Sequence, residues 1–461
     1  MTDAVLVFPY FNDGRSPLFK FPPLGLGYIA ASLRQNGYSV KIVDCTFSTW
    51  DKALHDVRTA HPRLIGIYSM LSMVDPALKL GAALRDDCEL LIAGGPMPSA
   101  YPKMFLGTFD MVVQGEAEST LVEVMRKING GGTFDEVKGL HLTNRALAST
   151  VMVRAADGGG SLFTGQRPLT DDIDQIPFPA RDLYDNDMYQ RYYEEHYDYT
   201  ITSAITSRGC PFCCDFCWRP DYGRFYRVRT PANIVDEMEE IVYKYRYDRI
   251  WFADELFIAS KKHVIEICEE IKRRKLDVLW ECLARADIVD DAVANAMKEA
   301  GCHKVIFGLE AGDDRTLKTM KKHLTVEQSS RAVHMMVKHG VKVGAFFILG
   351  YPGETNETML NTIRLASRLP LDYFSMTVPY PLPGTGLYER VKDKMTAKEW
   401  EKPLHGYDHK LLFQHDFSID KLKYGVWKAI TQSAMRKRLG PFYGVLGPWE
   451  RYTDRKFEMM N

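Results

Sequence analysis

The sequence predicts an α/β protein made of two alternating strand–helix units and a short helical region. Three observations carry this. Short apolar runs alternate with amphipathic stretches twice, from Ala4 to Lys127 and from Thr200 to Val378. Glycines and polar residues gather just after the apolar runs, where open sheets and barrels of parallel strands bind ligands. The alternation stops after Tyr388 and gives way to a helical pattern with a basic cluster.

In the first unit, spanning 1–150, strands are expected at Ala4–Phe8, Ser39–Val43, Leu64–Tyr68, Glu89–Ala93 and Met111–Val113. Helices are expected at Leu24–Asn36, Trp50–Ala60, Asp75–Asp86 and Ser119–Lys127. This order predicts a doubly wound, Rossmann-like parallel sheet. Its strand ends carry Phe8 to Phe11, Asp44, Tyr68 to Ser72, Gly94-Gly95-Pro96 and Gln114-Gly115-Glu116. Glycine there allows close backbone approach to a bulky ligand. No G-x-G-x-x-G follows the first strand, which argues against a dinucleotide.

A linker is expected over 151–195. The glycine runs Asn129–Gly132 and Asp157–Gly160 mark turns beside it, and Ile173–Asp185, rich in proline and acids, reads as a strap. Asp185–Tyr199 is dense in tyrosine and acidic residues and reads as a packing helix.

The second unit, 196–390, has expected strands at Thr200–Ser207, Arg249–Ala253, Val278–Leu283, Lys304–Leu309, Lys342–Leu349 and Tyr373–Val378. Helices are expected at Thr230–Tyr245, Lys261–Arg274, Asp290–Ala300, Thr325–His339 and Asn356–Leu369. Thr230-Pro231 is a cap with proline at the first helical position, and Thr325-x-x-Gln328 is a capping box. Gly301 and Gly340 end helices. Six such units predict a partial (β/α)6 TIM-type barrel with its site at the carboxyl ends of the strands. Residues 391–461 read as a small helical cap over the barrel mouth, with Arg436-Lys437-Arg438 and the aromatics Phe442, Tyr443, Trp449 and Tyr452.

Composition narrows the classes without excluding phosphate-rich partners. The 461 residues carry a net charge of −1, so no global field draws the protein to nucleic acid or an anionic membrane. No stretch reaches the roughly 18 apolar residues of a membrane span. The first residues read as a buried strand, not a signal peptide. Nine cysteines, four of them within Cys210–Cys217, do not form a secreted disulfide framework, so a reducing cytoplasm is expected.

The chemistry concentrates in Arg208–Trp218, RGCPFCCDFCW, where Cys210, Cys214 and Cys217 are spaced C-x3-C-x2-C. Thiolates are soft ligands that select iron–sulfur clusters, zinc or copper(I). A zinc knuckle is the bland alternative, but zinc usually takes four ligands in two close pairs. Three thiolates leave a four-iron cluster with one iron open to a substrate's amino and carboxylate groups. Cys213 is out of frame, and Cys268, Cys282 and Cys302 lie in apolar contexts, so one cluster is expected. His303, His323, His405, His409 and His415 lack ligand spacing.

With Phe216 before the last cysteine, the loop resembles the signature of the radical S-adenosylmethionine (SAM) enzymes. In that family the reduced cluster cleaves SAM to methionine and a 5'-deoxyadenosyl radical. The later strand ends resemble the family's motifs as well. They imply SAM contacts from Phe216, Asp254, Glu255, Arg285, Glu310, Gly312 and Gly350, with Arg285 on the carboxylate and Glu310 on hydroxyls. Pro22–Asp44, Ile92–Ser99 and Val112–Thr120 resemble the cobalamin-binding domain that precedes many radical SAM cores. The motifs lie at Pro23, Gly25, Gly27 and Tyr28, at Gly94, Gly95 and Pro96, and at Gly115, Glu116 and Glu118. The resemblance implies cobalamin contacts from these strand ends, with Leu24, Asp44 and Gln114 joining them. No histidine follows an aspartate by two residues. That implies methylcobalamin in a base-off form with no histidine ligand, its lower face met by Ser69, Met70, Leu71 and Ser72.

The implied activity is cobalamin-dependent radical SAM methylation of an unactivated carbon, served by an electron donor such as ferredoxin or flavodoxin. The compact build resembles the methanogen-type enzymes that methylate a residue of a partner protein such as methyl-coenzyme M reductase. A natural-product or lipid precursor is the alternative substrate, and oxidative cyclisation or rearrangement the alternative reaction. A non-catalytic iron–sulfur sensor would need only the cysteines, and a cobalamin carrier only the first unit.

Overall fold

The computed structural model describes residues 2–11, 20–130, 132–143, 146, 161–219, 225–396 and 413–460. The glycine run Asp157–Gly160, His405 and His409 lie outside the described residues. Among these residues the first sheet has seven strands: β1 (Thr2–Phe8), β2 (Val40–Asp44), β3 (Pro62–Tyr68), β4 (Leu90–Gly94), β5 (Met111–Val113), β6 (Leu140–Leu142) and β7 (Leu162–Phe163). Their order is β2-β1-β3-β4-β5-β6-β7. Ala4 to Val7 are buried on both faces, as a run of apolar residues demands of a central parallel strand. The first five strands run parallel, and their order reverses between β1 and β3. The crevice at that switch point opens beside Phe8–Phe11 and Ser69–Ser72. Two antiparallel strands, β6 and β7, carry the sheet beyond position 150 into the expected linker.

The second sheet is a six-stranded parallel array in the order β15-β14-β13-β12-β11-β8. It comprises β8 (Ile201–Ala204), β11 (Arg249–Phe252), β12 (Leu279–Ala284), β13 (Cys302–Glu310), β14 (Lys342–Ile348) and β15 (Tyr373–Thr377). Consecutive neighbours joined by helices make the expected partial barrel. One strand differs from expectation. Thr200–Ser207 breaks after Ala204, because Asp254 accepts from the Thr206 N–H at 3.0 Å, the Thr206 hydroxyl at 2.9 Å and the Ser207 hydroxyl at 2.5 Å. Past the break β9 (Ser207–Arg208) leaves the barrel and pairs antiparallel with β10 (Arg227–Val228).

The helices follow their local signals. Thr230 accepts from Asn233, and Thr325 with Gln328 closes a capping box. The helix expected over Thr230–Tyr245 stops being α-helical at Glu239 and continues as a π turn, Glu240–Lys244. A separate short helix, Asp314–Thr319, stands ahead of Val326–Lys338.

The C-terminal region differs in place. Helices Ile419–Leu439 and Gly447–Met459 form a hairpin that lies along the outer helix Asn356–Arg368 and does not cover the mouth over its length. Small residues explain this: a Cβ at Gly425 would stand 2.6 Å from Leu349 and 3.0 Å from Phe457, so only glycine admits this approach. Contact with the mouth is made by Leu422 against Gly350.

The strap ties the two sheets together. Arg181 is buried and pairs with Glu237 at 2.6 Å, while Glu237 also takes Arg229. Asp174 accepts from the Thr230 hydroxyl at 2.6 Å. Toward the first sheet, Tyr189 of the helix Asn186–Tyr197 donates to Asp44 at 2.6 Å, and Tyr193 is fully buried, so the expected packing role holds.

Gly27 shows how tightly the strap seats. A Cβ there would lie 1.8 Å from the Tyr184 hydroxyl and 2.9 Å from Pro179. Overpacking of this kind costs about 1–3 kcal/mol. Gly27→Ala is therefore expected to lose about that much stability in chemical denaturation, with part of it returned when Tyr184→Phe is added.

Candidate functional site

The site is built where the carboxyl edges of the two sheets meet. Gly209 takes a positive φ after β9 and turns the chain into the cysteine loop. The Arg219 guanidinium donates to the Cys210 carbonyl at 2.6 Å and closes that loop on itself. Trp218 packs against the apolar cluster of the first domain. Arg285 stacks over Phe212, its guanidinium 3.7 Å from the ring centre.

Asp215, between Cys214 and Cys217, pins the loop to the barrel. Its buried carboxylate accepts from Tyr351 at 3.0 Å and Arg390 at 3.1 Å, with Lys321 at 3.3 Å. Its backbone bonds Met320 and Leu387, both at 2.8 Å. A Cβ at Gly386 would collide with the Asp215 carboxylate at 2.1 Å, so the chain there must be glycine.

Cys210, Cys213 and Cys214 are half-buried, Cys217 is exposed, and all four are free thiols. Burial raises the Cys214 thiol, and the cations Lys322 and Arg285 oppose that rise. Burial pushes the Cys217 thiol up to about 11, against the pull of Arg219, and the Glu255 charge adds to the rise. The Cys213 sulfur lies 4.0 Å from the Pro211 carbonyl. Among the described residues no three His, Cys, Asp or Glu side chains are grouped to hold one ion. Thiols that each ligate a separate iron need no common point, and the soft donors with adjacent cations fit a cluster.

At the barrel edge, Glu310 sits in a left-handed conformation, φ +66°, where β13 and β14 shift register. Such bulges re-aim side chains next to active sites. Here the bulge turns Glu310 onto Lys322 at 2.8 Å, a buried ion pair. Gly308 leaves room for it: a Cβ there would meet Glu310 at 2.5 Å and Lys322 at 2.8 Å. The Lys322 ammonium also lies 5.9 Å from the Phe216 ring centre. Sequence reasoning missed Lys322; the Lys321-Lys322 pair was its only signal.

Several expected SAM contacts have structural partners. Arg285 bonds Asp287 at 2.9 and 3.1 Å and the carbonyls of Lys322 and His323. Asp254 holds the strand break described above, and burial pushes its carboxyl up to about 6. A Cβ at Gly312 would meet the Asn361 carbonyl at 2.5 Å, so this glycine serves helix packing. The corresponding space at Gly350 is filled by Leu422. Glu255 is exposed beside the loop, and Phe216 is half-buried against Tyr351.

At the first domain's edge, no protein atom lies within 4 Å of where a Cβ would stand at Gly25 or Gly94. This open space on a sheet edge fits close approach of a large planar cofactor such as a corrin. Leu24, Leu71, Pro96, Gln114 and Gly115 are half-buried around it, and Met70 and Ser72 are exposed. Gly95, φ +102°, packs on the Ser69 carbonyl.

Other expected corrin contacts are engaged within the protein. Ser69 is buried, its hydroxyl 3.4 Å from the Met70 carbonyl. Pro23 is buried, and Tyr28 is buried with Arg208 over its ring. Asp44 is taken by Thr46 and Tyr189. Glu116 bonds Arg208 at 2.9 Å and Arg227 at 2.8 and 3.1 Å, while Glu118 takes Arg208 at 2.5 Å. Burial opposes the charge of Glu116, but the two arginines outweigh it and hold its carboxyl below the usual range.

Comparison with known proteins follows the same division. Residues 14–125 match the family described as the B12 binding domain, and 204–366 match the radical SAM superfamily. An uncharacterised methyltransferase of Pyrococcus horikoshii is 32% identical over 83% of this chain and 81% of its own. An anaerobic magnesium-protoporphyrin IX monomethyl ester cyclase of Rubrivivax gelatinosus is 26% identical over 87% of this chain and 72% of its own. Among solved structures, the radical SAM methyltransferase TsrM from Kitasatospora setae, with cobalamin and a 4Fe–4S cluster bound, superposes with a TM-score of 0.71. It is 21% identical, over 85% of this chain and 75% of that one, and so shares the fold.

Glu354 tests the electrostatics of the barrel edge. Its carboxylate accepts from the N–H groups of Gly350 and Tyr351, both at 2.8 Å, and burial pushes its pKa up to about 7 from 4.5. Between those values the unfolded chain has released the proton and the folded chain has kept it, so this group's contribution to stability falls as pH rises. Glu354→Gln keeps an acceptor and removes the slope. Compared by denaturation at about pH 5 and about pH 8, the variant should gain on wild type at the higher pH, by up to about 3 kcal/mol.

Proposed function

Since the chain belongs to the cobalamin-binding radical SAM enzymes of the methyltransferase type, we propose that it methylates an unactivated carbon in a residue of a partner protein such as methyl-coenzyme M reductase. Its cofactors are a 4Fe–4S cluster, SAM and cobalamin. When bound, they supply a carbon radical from one SAM and an activated methyl group on cobalamin, and the protein supplies alignment and exclusion of water.

In this reading Cys210, Cys214 and Cys217 hold the cluster, with Lys322 and Arg285 favouring the Cys214 thiolate. Arg285 and Glu310 line the SAM site, and Lys322 orients Glu310. Leu24, Gly25, Met70, Leu71, Ser72, Gly94, Pro96, Gln114 and Gly115 would line the cobalamin site, and none of these is a histidine. Ferredoxin or flavodoxin is the proposed electron donor. The observation that carries the reading is the seating of the cysteine loop between both sheet edges, with Trp218 in one domain and Asp215 bound to the other. The compact build supports a protein substrate: among the described residues one helical hairpin is added to the two domains.

The cyclase relative favours a second reading, oxidative cyclisation with the same cofactors. Products decide between them. With a fragment of the partner as substrate, methylation yields 5'-deoxyadenosine and S-adenosylhomocysteine in near-equal amounts and one added methyl by mass spectrometry. 5'-Deoxyadenosine without S-adenosylhomocysteine or methyl gain would overturn methylation in favour of cyclisation.

Two further outcomes test the assignments. Anaerobically purified protein should hold about four irons and four sulfides. Replacing Cys210, Cys214 and Cys217 with alanine should remove both, whereas Cys213→Ala should leave them. Glu310→Ala and Arg285→Ala should weaken SAM binding ten- to hundredfold, about 1.5–3 kcal/mol, in equilibrium binding without emptying the cobalamin site.

A further inference from the structure

Among the described residues, fifteen large apolar side chains are exposed, and six of them belong to the C-terminal hairpin: Trp427, Ile430, Phe442, Val445, Tyr452 and Met459. Four of them, Trp427, Ile430, Phe442 and Val445, lie on one helix and the turn that follows it. Trp427 and Ile430 share the outer face of helix Ile419–Leu439, opposite the buried stripe of Leu422, Gly425 and Ala429. Trp449 of the second helix lies 6.4 Å from Trp427, ring centre to ring centre. Phe442 and Val445 protrude from the connecting turn, 74% and 71% exposed. Exposed aromatic and aliphatic side chains gathered on one element mark an interaction site.

Charge identifies what it meets. Ile419–Asn461 holds nine Lys and Arg against four Asp and Glu, in a chain whose net charge is −1. Two of the acids are turned to internal use: Glu450 bonds Arg436 and Tyr443, and Asp454 bonds Lys428 and Arg364. Lys423, Lys437, Arg438, Arg451, Arg455 and Lys456 are exposed around the apolar face. Beside Lys437 opens a cleft of about 490 Å³, lined also by Arg368 and Ser433.

We infer that this face docks the protein on an anionic lipid bilayer. Aromatic rings flanked by long cationic side chains suit the headgroup boundary, where the rings enter the interface and the cations meet phosphate. Phe442 and Val445, at the tip of the hairpin, enter deepest. A fluid surface accommodates protruding side chains such as Phe442 and Val445 without a matching pocket. The hairpin lies on the barrel's outer side, so docking leaves the mouth accessible except where Leu422 touches Gly350. This inference does not depend on the identity of the substrate.

Flotation of the full-length holoenzyme with vesicles tests it. Wild type should float with phosphatidylglycerol vesicles and stay behind with phosphatidylcholine, and raising salt to about 0.5 M should weaken binding at least about ten-fold. The double variants Phe442→Ser with Val445→Ser, and Arg438→Glu with Arg455→Glu, should each lose at least about ten-fold in affinity at unchanged Tm, because the altered side chains are exposed. A Trp427→Phe difference spectrum should show Trp427 emission shifting to the blue on binding. No flotation with phosphatidylglycerol, or variants that float like wild type, overturns the inference. A dimer dissolved by the same variants, without flotation, assigns the face to a second copy of the chain.

Discussion

Arg208 and Arg227 lie directly opposite each other on the β9–β10 ribbon, a like-charge pair that by itself would push the strands apart. Glu116, from the other domain, bonds both, and Glu118 takes the remaining side of Arg208. The ribbon is therefore electrostatically complete only when the domains are docked. Arg208 and Glu116 are buried and Arg227 is half-buried, and removing one partner from a buried cluster typically costs about 3–5 kcal/mol because the others remain desolvated. The cysteine loop starts at the end of this ribbon, so the geometry of the site depends on the bridge.

The sequence reading located the elements well, because periodicity and caps are local signals. Strands fell within a few residues, and the Thr325–Gln328 capping box and the helix-ending glycines Gly301 and Gly340 stand where expected. What it could not see were contacts between segments far apart in the chain. The break in β8 is made by Asp254, forty-eight residues beyond Thr206. Gly312 and Gly350 read as ligand glycines, and each also closes on protein, Gly312 on the Asn361 carbonyl and Gly350 on Leu422. Glu116 and Asp44 sit at the right edge of the sheet, yet their carboxylates are taken by arginines and by a tyrosine of the strap. A strand end attracts polar residues both for ligands and for domain docking, and spacing alone does not separate the two.

The structure divides these tasks between neighbouring residues. At the first sheet's edge, Gly25 and Gly94 face open space while Gly27 and Gly95 are packed against protein. In the cysteine loop, Asp215 and Trp218 fasten the chain, leaving the thiols on either side of Asp215 free. At the barrel edge the register shift that strains Glu310 also brings it to Lys322. Anchoring and chemistry thus alternate along short segments.

Only Gly209 separates Arg208 from Cys210, which allows no more than about 7 Å of chain between the bridge and the first thiol. A longer connection would absorb small rocking motions of one domain against the other. This one has almost no slack, and Arg219 closes the loop just beyond it. Reactions that depend on alignment lose about a hundredfold for a displacement near 1 Å. The short span therefore makes the mechanical tolerance of the domain joint the positional tolerance of the loop.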